Sequence, residues 1–263
     1  MKSPIILLKK KSTRKNSAHE TGGNKSSKRE TPMASRNEAK QQKEKTSQAL
    51  IESALELCAE QGYASLSLRS VARKAGIAPT SFYRHFREID EMGVAMVEQA
   101  KEALDGWLAQ ARKQMAFSGL KPGDGSQKQL TAIECLTRPF VKTFADAYRQ
   151  TPRLLHLFFQ ERTGSADALR AAIGDAISAL IQDLVEILKR PGKGLPCSTQ
   201  TLGLLSETMI TLVSRGVMER FSPSGTPQET LRAAANLIEP VIQPLTLLLL
   251  GALTLEQTKQ EQE

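Results

Sequence analysis

Residues 62–87 read Gly62-Tyr63-Ala64-Ser65-Leu66-Ser67-Leu68-Arg69-Ser70-Val71-Ala72-Arg73-Lys74-Ala75-Gly76-Ile77-Ala78-Pro79-Thr80-Ser81-Phe82-Tyr83-Arg84-His85-Phe86-Arg87. Ser67 stands just before Leu68, Val71 and Ala72, which predicts an N-cap and a short helix. Gly76 ends that helix. Pro79 and Thr80 open a second short helix reaching to about His85, because proline in a first turn gives up only an amide that has no helical partner. Two short helices about a glycine turn are the helix-turn-helix layout. In that layout the second helix enters the major groove and its first turn faces base edges and phosphates. The segment holds Arg69, Arg73, Lys74, Arg84 and Arg87 and no acid. The DNA-contacting set is therefore Ser67, Arg69, Pro79, Thr80, Ser81, Tyr83, Arg84, His85 and Arg87. Hydroxyls, guanidiniums and a protonated imidazole suit phosphates or guanine edges, and Tyr83 is a rigid amphipathic contact.

Outward from this segment the periods are helical. Leu50, Ala54, Leu57 and Cys58 share one face of a helix starting near Lys40 and closed by Gly62. Asp90 and Glu91 begin a long fourth helix with the stripe Met92, Met96, Ala100, Ala103, Trp107, Ala111 and Met115, broken at 121–125. The three methionines are expected to pack against the DNA-binding module. Ile133, Leu136, Phe140 and Phe144 form the next face, kinked at Pro139. Pro152 starts a short helix that is apolar nearly all round and so is expected to be buried. Ser165 is read as the cap of a helix carrying Leu169, Ile173, Ala176, Ile177, Leu180, Leu184 and Leu188. Leu202, Leu205, Met209, Leu212, Val213 and Gly216 mark an eighth helix, and a ninth from about Gln228 meets Pro240 and Pro244. No β-branched alternation occurs, so the fold class is all-α with about nine helices.

The 263 residues carry a net charge of +8. Residues 1–45 hold 13 Lys and Arg against 4 Asp and Glu, while the other 218 hold 23 against 24. The basic excess thus belongs to the N-terminal stretch, where Lys40, Lys43 and Lys45 fit either an arm on phosphates or a solubilising tail. Residues 1–35 have no apolar period and read as disordered. Met33 reads as the physiological start, and no signal peptide is expected. Four segments follow: a basic tail at 1–38, a DNA-binding domain at 39–90, a helical ligand-binding and dimerisation domain at 91–255, and a disordered tail at 256–263.

Other classes find less support. Cys58, Cys135 and Cys197 are too few and too scattered for a disulfide scaffold or a cysteine metal site, and Cys58 reads as core filler. No cofactor and no metal is expected. No run of about 18 apolar residues is present, so no membrane span is expected and the cell compartment is read as the cytoplasm. A membrane-surface protein would need the basic stretch beside Leu245–Leu255, and these lie at opposite ends. The chain has no Gly-x-Ser-x-Gly, no His-Glu-x-x-His and no phosphate-cradling glycine loop, so it is not read as an enzyme.

Gly62-Tyr63 with Ser67 to Ala72, then Ala75-Gly76-Ile77 and Tyr83-Arg84-His85-Phe86, resembles the DNA-binding region of TetR-family transcription regulators over about residues 45–95. One departure is Ile89, where the family commonly has Lys near phosphate; Arg87 is the nearby substitute. Residues 75–87 with Asp90-Glu91-Met92-Gly93, and Pro152 with Glu161-Arg162-Thr163-Gly164, look like the FabR/DesT branch, which shares the Ile89 departure. That resemblance implies a repressor of unsaturated fatty acid synthesis. Its implied partners are a palindromic double-stranded DNA operator, a homodimer mate through the last two helices, and a hydrophobic effector that is a long-chain acyl-CoA or acyl carrier protein thioester. A TetR-type sensor of another hydrophobic compound, such as a drug, is the alternative. Phe140, Phe144, Leu155, Phe158, Phe159, Ile177 and Leu180 are the candidate ligand pocket, and they equally fit a plain core. Arg138, Lys142, Arg153 and Arg162 are candidates for its anionic mouth, and His156 reads as a core histidine.

Overall fold

The computed structural model describes residues 32–119, 124–190, 192–220 and 227–260. They form nine α-helices and, among the described residues, no strand: α1 Pro32–Gln61, α2 Leu68–Lys74, α3 Pro79–Phe82, α4 Ile89–Gln114, α5 Ser126–Gln150, α6 Pro152–Gln160, α7 Asp167–Leu188, α8 Thr199–Met218 and α9 Pro227–Gln260. The all-α expectation holds. Residues 1–41 form one unit and residues 42–263 another. Of the first unit, residues 32–41 are helical, so helix begins at Pro32 rather than near Lys40, and 37–41 are exposed. The reading of 1–31 as a tail lies outside the described residues.

In the second unit α2 starts as the sequence requires. The Ser67 hydroxyl accepts from the Ser70 amide at 3.1 Å and the Ser70 hydroxyl accepts from the Ser67 amide at 3.1 Å, a reciprocal cap. Gly76 turns the chain with φ +69°, a conformation that costs a side chain dearly. α3 is shorter than expected. After Phe82 the amides of Arg84 and His85 bond three residues back, to Ser81 and Phe82, tightening the chain into a turn. Phe82 and Phe86 anchor this turn in the core.

α4, α5, α7, α8 and α9 build the larger layer, with α4 against α5 and α7, and α9 against α5 and α8. Trp107 is buried at its centre, 4.9 Å from the Phe140 ring and 4.8 Å from the Phe144 ring. Its indole N–H donates to the Phe140 carbonyl at 3.2 Å, so no polar atom is stranded. Pro139 inside α5 leaves the Cys135 carbonyl without its helical donor, and the Ala116 amide bonds to it at 3.4 Å. The buried hydroxyls of Thr137 and Thr246 lie 3.0 Å apart and tie α5 to α9.

Three expectations need correction. Ser165 does not cap α7; Ala166 does, with no side-chain bond, and Arg170 reaches back to the Gly164 carbonyl at 2.9 Å instead. Met115 does not pack against the DNA-binding module. It caps the far end of α4, about 39 Å away at 1.5 Å per residue. α9 runs on to Gln260, through the start of the stretch read as a tail, because the Glu256 carboxylate accepts from Ser198 and Thr201 at the N-terminus of α8. Within α9, Ile238–Lys259 is long and apolar enough by composition to cross a membrane, since its prolines and threonines interrupt the run without lowering its average much. Val241, Ile242, Leu245, Leu249 and Leu253 of that segment are buried in the core with α5 and α8.

The N-terminus of α4 is held by a close fit. Tyr63 donates its hydroxyl to the Ile89 carbonyl at 3.2 Å and crosses over Gly93, where a Cβ would lie 2.2 Å from the phenol oxygen and 3.0 Å from the ring carbon bearing it. Gly93→Ala is expected to destabilise the protein by about 1–3 kcal/mol, the usual penalty of overpacking. Adding Tyr63→Phe should recover part of that loss by removing the clashing oxygen. Urea melts of the single and double variants measure it.

Candidate nucleic-acid interface and effector cleft

The turn after α3 turns its polar side outward. Tyr83 is 63% exposed although its neighbours Phe82 and Phe86 are buried. A large aromatic ring facing solvent one residue from a core phenylalanine follows from helical spacing, which sends consecutive residues to different faces. Ser67, Arg69, Pro79, Thr80, Arg84 and Arg87 are exposed with it, and Ser81 and His85 are half-buried. Among the described residues, no carboxylate pairs with the side chains of Arg69, Arg73, Arg84 or Arg87. Lys74 is different: Glu56 at 3.3 Å and Glu60 at 3.4 Å hold its ammonium, so it is spent within the fold. Ile89 packs half-buried on the core and offers no charge, whereas the Arg87 side chain is exposed two residues earlier.

His85 departs from its expected role as a cation. Its Nδ1 is buried with no hydrogen-bond partner among the described residues. Burial first, then the charges of Lys43 and Arg84, push its pKa below the ordinary 6.5, so the ring is neutral at pH 7. The same effect shows that Lys43, early in the second unit, lies close enough to His85 to repel its proton. Lys43 extends this basic face, and its place could not be read from a stretch of tail composition.

The candidate pocket residues divide by depth. Phe140, Phe144, Leu155, Ile177 and Leu180 are buried in the packed core. Phe158 lies with Met96, Val97, Leu154, Leu157, Leu169 and Ile173 in a closed seam between α4, α6 and α7. Phe159 alone of the set lines an open cavity. Its ring stands edge-on to Phe158 at 5.1 Å and to Phe144 at 5.9 Å. The cavity, about 400 Å³, lies between α6 with the turn after it and the C-terminal half of α8, and His156, Arg162, Thr211, Arg215 and Met218 also line it. His156 faces the Tyr148 hydroxyl at 3.4 Å, and burial lowers its pKa, so it is neutral there.

Of the four cations suggested for a mouth, only Arg162 reaches this cavity. Arg138 is paired with Glu134 and Glu239, Arg153 with Glu56 of α1 at 3.2 Å, and Lys142 is exposed on α5. Sequence reasoning missed Arg215, Thr211 and Met218, because nothing in α8 alone tells which of its faces meets α6. Among the described residues no group of three His, Cys, Asp or Glu is placed to hold a metal ion.

An exposed, acid-free surface built on a capped helix, a glycine turn and a short second helix defines a helix-turn-helix DNA-binding protein. Residues 50–96 match the family model for bacterial regulatory proteins of the tetR family. With the all-helical body behind that domain, the chain is a TetR-family DNA-binding transcriptional regulator. The fold is similar to a transcriptional regulator of the TerR/AcrR family from Aquifex aeolicus VF5, at 14% identity and TM-score 0.54 over 77% of this chain and 98% of that one. It is also similar to the fatty acid degradation regulator FadR from Bacillus halodurans, at 17% and 0.51 over 79% and 96%. A third is the regulator FadR from Bacillus subtilis in complex with stearoyl-CoA, at 14% and 0.50 over 78% and 98%.

The lowered His85 pKa sets a pH dependence. A base whose folded pKa is depressed stabilises the fold fully above its unfolded value of 6.5. That stability is lost as pH falls from there through the folded value. His85→Gln is therefore expected to show a shallower loss of stability below pH 6.5 than the unaltered protein, read from denaturation midpoints across pH.

Proposed function

We propose that the chain works in the cytoplasm as a homodimeric repressor. In this reading it binds a palindromic operator with Ser67, Arg69, Pro79, Thr80, Ser81, Tyr83, Arg84, His85 and Arg87, and a long-chain acyl thioester releases or retunes it. The observation that carries the DNA reading is the exposure of Tyr83 beside unpaired Arg84 on an acid-free surface. A ring left in water at 63% exposure gains nothing from the fold, so its burial is expected on a partner.

The dimer reading rests on a second face. Leu247, Gly251 and Leu255 follow one another at four-residue spacing on the outer side of α9, and Leu204 of α8 is exposed as well. α9 thus has apolar residues on its inner and outer sides, as expected of a helix covered twice. The fatty-acid reading rests on the resemblance at 75–87 and 152–164. The stearoyl-CoA in the Bacillus subtilis relative is consistent with it.

Tyr83→Ala and Arg84→Ala are each expected to cost about 1–3 kcal/mol in specific operator binding, the worth of a good base contact, with the dimer intact. Gel shifts on DNA upstream of its own gene and of fatty acid synthesis genes test this, with palmitoyl-CoA or oleoyl-CoA added. A shift that responds to chain unsaturation supports the whole reading. A shift indifferent to both keeps the repressor and points to another hydrophobic effector. Leu247→Lys with Leu255→Lys should yield monomers in sedimentation; dimers of undiminished affinity would reject α9 as the interface.

A further inference from the structure

The cavity between α6 and α8 combines two chemistries. Its rim is cationic and its floor is aromatic. Arg162 donates one guanidinium N–H to the Thr211 hydroxyl at 3.4 Å and stands 3.8 Å from Glu207, too far for a close ion pair. Arg215 gives its Nε to Glu219 at 2.7 Å, which leaves its two terminal nitrogens to face a ligand. Glu219 also lines the cavity, so the pairing with Arg215 is what neutralises it. Beneath the rim, Phe159 stands edge-on to Phe144, which stands edge-on to Trp107 of α4. Met218 borders the same floor and adapts to irregular shapes.

We propose that this cavity is the entry and head-group site for an amphiphilic anion. Arg162 and Arg215 hold its phosphate or carboxylate, and its apolar chain displaces Phe159 and runs toward Phe144 and Trp107. The inference rests on the hydrophobic-effector reading above and adds to it the place and charge of the head group. A planar guanidinium suits an oxyanion by presenting two parallel N–H donors. The volume of about 400 Å³ falls within the range of small-molecule sites and is too small for a long chain as well, so the chain must open the aromatic floor. Trp107 links that floor to the helix whose other end carries Tyr63 and the DNA-binding turn, so a chain lodged there acts directly on α4.

Trp107 is the only tryptophan, so its emission reports this floor without a label. The test titrates the full-length protein with oleoyl-CoA, with oleate and with uncharged oleyl alcohol, each below its micelle concentration. Arg162→Gln and Arg215→Gln are compared with Arg112→Gln, which lines a different cleft between α4 and α7. The expected result is a saturable change in Trp107 emission with at least one anionic ligand. Affinity should fall about 10-fold or more in Arg162→Gln and Arg215→Gln, the loss of a hydrogen bond to a charged group, and be unchanged in Arg112→Gln. Oleoyl-CoA binding without oleate assigns the head to phosphate; oleate binding as tightly assigns it to carboxylate. Equal affinity in all three variants, or binding of oleyl alcohol as tight as that of the anions, overturns the cavity as an anion site while leaving a lipid effector in place. No emission change with any of the three ligands overturns the effector reading along with it.

Discussion

Tyr63 lying across Gly93 is the contact on which the rest of the molecule's working geometry depends. The phenol reaches the Ile89 carbonyl only because residue 93 has no side chain. That approach fixes the first turn of α4 against the segment that leads into α2. The other end of the same helix is fixed independently. Arg190, at the end of α7, donates to the carbonyls of Arg112 and Met115 at 2.8 and 2.9 Å, satisfying groups that a helix C-terminus leaves bare. α4 is therefore a rod held at both ends, with the DNA-binding turn at one and the Trp107 cluster along its length.

The forces along that rod are unequal. Burying a large apolar side chain contributes about 1.5–3 kcal/mol, whereas an exposed ion pair contributes about 0–1 kcal/mol. The Trp107, Phe140, Phe144 and Phe159 rings therefore hold the body together, and the bridges from Glu56 to Lys74 and to Arg153 mainly set orientation. The pair with Arg153 joins α6, beside the effector cavity, to α1, beside the DNA-binding turn. A weak, exposed link of this kind is easily remade, which suits a part that has to respond to a ligand that favours one arrangement over another.

Much of the DNA-binding surface was legible in the residues. The Ser67 cap, the Gly76 turn, Pro79 at the start of α3 and the buried Phe82 and Phe86 are local rules, each settled within about four residues. The neutral state of His85 was not legible, because it depends on burial and on Lys43, some forty residues earlier in the chain. The aromatic candidates show the same divide. Helical spacing marked Phe140, Phe144, Phe158 and Phe159 as one apolar set, and only packing separated the three that are sealed from Phe159, which opens on a cavity.

The sequence by itself determined the helical class, the caps and turns of the DNA-binding segment, and the absence of acid on its surface. These follow from neighbours three or four residues apart, where backbone hydrogen bonds and helical period decide the outcome. Tertiary structure alone decided which charges remain available. Lys74, Arg138 and Arg153 are matched by carboxylates 14 to 101 residues away, while Arg162 and Arg215 meet across two helices at the mouth of one cavity. Charge is written in the chain, but its partners are chosen by helix packing, and a helix does not record in its own residues which neighbour its polar face will meet.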